Sequence, residues 1–207
     1  MANKEIEDYK FYQKVSKTDP KFVKTRKTGG RTVSSIDPQY QTENVTKEWG
    51  LYGKGWGIKD GVLTTRMIGT TELMTLNAKF WFPDGEFSYA VSDKSFYMSK
   101  NGNEVIDTDI EKKLYTQFKS KCLSLLGFNS DIYIGKFEDS NYVNEMVGTF
   151  TLIDPTQRTE LAKMIQDTQT DLAKFNETFG IDTLADLPIK EYQRAKALLQ
   201  AKLNKMK

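Results

Sequence analysis

The chemistry offered by this sequence is that of fixed positive charge. Between Lys10 and Arg31 stand eight basic residues (Lys10, Lys14, Lys17, Lys21, Lys24, Arg26, Lys27 and Arg31) against one acid, Asp19, a net +7 on 22 residues. The whole chain carries only +2, so the remainder is net acidic. Cations gathered in this way suit a polyanion, because contacts to phosphates give affinity that is indifferent to base sequence. They would also serve as a solvated arm with no partner. Lys121 is a candidate of another kind. With Phe118 at the centre of a helical face, about 100° per residue gathers Ile110, Leu114, Cys122 and Leu125 around it. Lys121 falls inside that stripe, between the bearings of Ile110 and Leu114. A lysine there either runs its stem along apolar surface to water or meets an anion in a groove.

Other chemistry is excluded by what the chain lacks. There is no histidine, which removes the commonest general base, the commonest metal ligand and every Ser–His or Cys–His pair. No CxxC, P-loop or GxGxxG pattern is present. The glycine-rich run Gly50–Gly57 lacks both the Gly-Lys-Ser/Thr ending and a preceding strand, so ATP binding is rejected. Asp131, Glu138 and Asp139 could imitate a two-metal nuclease cluster. Without a supporting histidine or nuclease motif they read better as caps and acceptors in the loop after a helix. The expectation is a binding protein, not an enzyme, with no cofactor and no metal.

The elements that must position these cations are legible in outline. The 207 residues suit one domain, or one domain with a helical appendage. No apolar run approaches the roughly 20 residues of a membrane span, and the first residues lack a signal-peptide apolar region, so no membrane partner is expected. A single cysteine, Cys122, cannot form an internal disulfide and points to a reducing cytoplasm. Lys27-Thr28-Gly29-Gly30-Arg31 reads as a flexible turn. Asp37 caps and Pro38 opens a helix that buries Tyr40, Val45 and Trp49 and stops at Gly50. Gly55–Lys59 and Val62–Met67 flank a hairpin signal at Asp60-Gly61. Leu73–Phe82 and Glu86–Ser92 flank a stronger one at Pro83-Asp84-Gly85. Met74, Leu76, Ala78, Phe80 and Phe82 alternate with Thr75, Asn77 and Lys79, as in a half-buried antiparallel strand. The polar loop Ser99–Asn103 leads into the helix Asp109–Leu125, capped by Asp107 or Asp109. The fold expected is α+β, an antiparallel sheet packed on a long helix, over residues 1–149. Residues 150–207 carry no strand signal and form a helical C-terminal module, with helices opening at Asp154-Pro155 and at Ile189.

Four segments, taken in order, resemble the phage Erf-like single-strand annealing proteins, relatives of the eukaryotic Rad-fifty-two annealing protein. They are Thr18–Lys24 with Lys27–Arg31; Ile36–Gln41 running on to Thr46–Gly50; Gly53-Lys54-Gly55-Trp56; and Phe118–Phe128 continuing through Asp131–Asp139. The resemblance implies a β-β-β-α core with an N-terminal helix, assembling as a homo-oligomer, a ring or a helical filament. It also implies a groove that holds single-stranded DNA by its backbone, so that a complement pairs without ATP. The setting implied is phage homologous recombination in the cytoplasm of a bacterial host, beside an exonuclease or a single-strand binding protein. By position Lys121 matches the basic residue of the long helix that faces DNA, and Arg26 a basic residue before the glycine turn. Ser120 departs from relatives with two adjacent bases, and Lys119 is the residue placed to compensate. Lys24, Lys27 and Arg31 complete the cluster around the turn, where glycines allow close approach to phosphates. Lys54, Lys59 and Arg66 would form a second, duplex-facing strip. Trp49, Tyr52 and Trp56 either stack on bases or fill the seam between helix and sheet, with packing favoured. Passive coating of single-stranded DNA, or an oligomeric adaptor for replication and recombination proteins, are the competing functions.

Overall fold

The structure, a computed structural model, describes residues 2–206, with the side chains of residues 2–6, 28 and 31 outside that description. In chain order the elements are α1 (Ala2–Val15), β1 (Val23–Thr28), β2 (Arg31–Ile36), α2 (Pro38–Trp49), β3 (Gly57–Ile68), β4 (Thr71–Phe82), β5 (Gly85–Met98), β6 (Glu104–Ile106) and α3 (Ile110–Leu125). There follow α4 (Ser130–Tyr133), α5 (Ser140–Phe150), α6 (Pro155–Asp167), α7 (Leu172–Phe179) and α8 (Ile189–Lys205). This is an α+β fold. Two compact units divide it, residues 1–18 with 22–135, and residues 19–21 with 136–207. The change falls at Gly135, not at 149, because α5 packs on α8.

In the first unit β3, β4, β5 and β6 form an antiparallel sheet in that order, and α3 lies across β4 and β5. Strand alternation does the sorting: Leu76, Ala78 and Phe80 point to the helix and are buried, while Asn77 faces out. The α3 side contributes Ile110, Leu114, Phe118, Cys122 and Leu123. Leu125, expected in this stripe, is 57% exposed. Angle alone does not say how far along a helix its cover reaches. Leu123 is buried instead, because α3 is covered on a second side by α2.

The Pro83-Asp84 turn joins β4 to β5 as expected, with Phe82 opposite Gly85. The Asp60-Gly61 signal does not make a hairpin. β3 runs through it as one strand of 12 residues, with a bulge between Lys59 and Val62, and turns at Gly69-Thr70. The short β6 and the pair β1–β2 carry too little apolar alternation to be seen in sequence. Gly29 and Gly30, at φ +58° and +80°, close β1–β2 as a two-residue turn. The expected flexible turn is thus the tip of a ribbon. Asp37 caps α2 as expected, accepting from the Gln39 and Tyr40 amides, which lowers its pKa.

Cys122 is buried, and desolvation pushes its thiol up to about 12. It should resist thiol reagents at pH 8 in the native protein and react at once in denaturant; fast native labelling would disprove this burial.

The second unit has its own core of Leu161, Ile165, Phe175, Leu187, Tyr192, Ala195 and Leu199. Asp154 and Gln157 close a capping box at α6, with Pro155 at its first turn. No helix among the described residues is long and apolar enough to cross a membrane.

Candidate nucleic-acid interface

The β1–β2 ribbon presents the first set of cations. Its residues, Val23 to Ile36, include Lys24, Arg26, Lys27 and Arg31 and no acid. Register puts Lys24 (opposite Ser35) and Arg26 (opposite Val33) on one face, and Lys27 (opposite Thr32) on the other. All three are exposed. Lys24 lies 3.6 Å from the Asp37 carboxylate. The Arg31 side chain lies outside the described residues.

Lys121 leaves the apolar stripe for solvent, and its Nζ sits 5.0 Å from the centre of the Tyr133 ring, a cation–π contact. Its stem thus runs to water, the snorkelling arrangement, and its head remains open to an anion. Tyr133 is held on α4, and desolvation raises its pKa.

Lys54, Lys59 and Arg66 are not brought together as one strip. Lys54 stands exposed on the loop after α2. Lys59 and Arg66 share the outer face of the sheet, but their β4 partners, Lys79 and Leu73, are six residues apart, about 20 Å. Lys59 is moreover engaged by Glu86, whose hydrogen bond raises the lysine pKa, and Lys79 reaches Asp60 at 3.2 Å. That face is charge-balanced around Lys59.

Two of the three aromatics pack, as favoured. Trp56 is fully buried and donates its Nε1 hydrogen to the Gly50 carbonyl at 3.0 Å. Trp49 stacks between Phe11 and Phe82. Tyr52 departs from this, half exposed and edge-on to Trp56.

Tyr52 forms one wall of a groove of about 220 Å³, closed by Thr42 of α2, Ile58 of β3, and Tyr115, Thr116 and Lys119 of α3. Lys119 is half-buried there, its Nζ donating to Thr42 Oγ1 at 2.8 Å. Desolvation lowers its pKa, and among the described residues no carboxylate acts against that effect. The roughly 100° that separated Lys119 from Phe118 aims it at α2, away from the sheet. Tyr115 reaches over the β3 bulge. A Cβ at Gly61 would meet its Oη at 2.7 Å, so the glycine makes room for the ring. Thr42 and Tyr115 were not foreseen. The i, i+4 spacing of Tyr115 and Lys119 on one side of α3 is the signal that could have found them.

The acids weighed as a nuclease cluster do other work. Asp139 caps α5 through the Asn141 amide, Glu138 is exposed, and Asp131 is buried against Thr18. No three metal-ligating side chains gather among the described residues. No protein-family model matches the chain, and no curated protein matches it.

Proposed function

We propose that this protein binds single-stranded DNA through its phosphate backbone and anneals complementary strands without ATP. The observation that carries the reading is the β1–β2 ribbon, which holds four cations and no acid in its sequence and exposes Lys24, Arg26 and Lys27. A narrow ribbon can follow a flexible strand, and backbone contacts leave bases free to pair. Lys121 and Lys119, neither engaged by a carboxylate among the described residues, add two further cations on α3. The sheet edges β3 and β6 are the surfaces through which copies would join in a ring or filament, since unpaired strand edges template pairing. The exonuclease or single-strand binding protein of the host setting belongs to the same proposal.

The test is the annealing rate of two complementary oligonucleotides in EDTA without nucleotide. The protein should accelerate pairing. Replacing Arg26, Lys27 and Arg31 together by alanine should abolish the acceleration and flatten the salt dependence of log K by about 2, at about 0.7 per lost contact. Tight binding without acceleration would make it a coating protein, and no binding would refute the reading.

A further inference from the structure

The groove beside Lys119 is built for more than charge. A lysine usually keeps its ammonium in water or against a carboxylate. Lys119 does neither fully. It is half-buried, it donates to a neutral hydroxyl, and among the described residues no acid offsets its desolvation. An incoming anion would gain a Coulomb attraction that no described carboxylate supplies, in a setting less screened than open surface.

The walls say which anion. Tyr52 and Tyr115 come from different elements, the loop after α2 and the middle of α3, and the two residues remain 50% and 40% exposed. Tyrosines of this size usually bury most of their surface. Ile58 also lines the groove, and its apolar side chain offers no hydrogen bond to a base edge. At about 220 Å³ the space is below the roughly 300–1,000 Å³ of a pocket that encloses a whole small ligand. It suits one unit of a chain that passes over it.

We propose that this groove takes one unstacked nucleotide of single-stranded DNA, its phosphate on Lys119 and Thr42 and its base against Tyr52 and Tyr115. The inference rests on the DNA-binding reading above and adds to it a discrete anchor. Stacking tolerates every base, because every base has a π face, so the anchor is compatible with sequence-independent annealing. A base paired in a duplex is stacked on its neighbours and cannot enter. The anchor therefore favours the single strand and lets go as the complement pairs.

The experiment is a fluorescence titration of an oligonucleotide carrying 2-aminopurine, at several salt concentrations, with the full chain. Tyr52→Leu and Tyr115→Leu should each weaken binding by roughly tenfold and remove most of the 2-aminopurine quenching. Tyr52→Phe and Tyr115→Phe should retain both, since the ring is what stacks. Lys119→Met, which keeps the stem, should flatten the salt slope by about 0.7 with the melting temperature unchanged within a few degrees. If the leucine and methionine variants bind and quench like wild type while the Arg26/Lys27/Arg31 variant is weakened, the groove is not the anchor and the DNA-binding reading stands. If wild type does not bind the oligonucleotide at all, both fail together.

Discussion

Gly55→Ala should destabilise the first unit by about 3 kcal/mol or more and lower its melting temperature by about 10 °C. The reason is a backbone-on-backbone collision. A Cβ at Gly55 would lie 1.6 Å from the Trp49 carbonyl oxygen and 2.7 Å from its carbon. No rotamer change can relieve that. The loop after α2 doubles back tightly: the Lys54 and Gly55 amides donate to the Leu51 carbonyl, and the Gly53 amide donates to the Trp56 carbonyl at 2.7 Å. Trp56 Nε1 then ties the loop to Gly50. The loop also carries Tyr52, so the variant should lose the groove wall along with stability. Gly53→Ala is the control. Gly53 has φ +82° and nothing within 4 Å of the added atom, so only left-handed strain of about 1–2 kcal/mol applies. Thermal melts of the two variants decide it, and a Gly55→Ala protein as stable as Gly53→Ala would remove the collision.

Why Gly55 stands where it does explains how much of this protein its sequence displays. Gly53-Lys54-Gly55-Trp56 was legible as a motif, but the need for glycine at 55 lies in the carbonyl of Trp49, which only the closed loop brings near. The same holds elsewhere. Pro83-Asp84 was readable as a turn because alternation on both sides agrees with it. Asp60-Gly61 carries the same local signal, yet Asp60 at φ +55° serves a bulge inside one long strand, with the Tyr115 hydroxyl close to Gly61. Periodicity found the α3 face toward the sheet. It missed the second face, toward α2, which buries Leu123 and draws in Lys119. Lys121, the residue singled out by its place in the stripe, proved to be a snorkelling lysine over Tyr133. The cationic ribbon was evident as composition but not as two strands, since six-residue strands of Lys, Arg and Thr bury too little to announce themselves.

Asp131→Ala should be the other severe substitution, at about 3 kcal/mol, because it strands buried donors. Asp131 is 2% exposed and Thr18 fully buried. The carboxylate accepts from the Thr18 amide at 2.8 Å, the Thr18 hydroxyl at 2.6 Å and the Ile132 amide at 2.9 Å. Asn129, also buried and left-handed at φ +54°, donates to the Thr18 hydroxyl at 3.1 Å. Main-chain bonds from Asn129 to Val15 and from Asp131 to Ser16 complete the clip. Deleting the carboxylate leaves two Thr18 donors without this acceptor, at about 1–3 kcal/mol per unsatisfied buried group. Asp131→Asn keeps the shape and one acceptor, so about half the loss is expected. Thr18→Val removes one donor and leaves the carboxylate its amide partners. The combination of Thr18→Val with Asp131→Asn should cost less than the sum of the two, since each single change already breaks the shared bond. Strict additivity in the thermal melts would mean the two residues do not act together. Because Asp131 and Tyr133 share the single turn of α4, a loosened clip should also free Lys121 from its ring. Weaker DNA binding by Asp131→Ala at a temperature where the protein is still folded would tie this buried clip to Lys121.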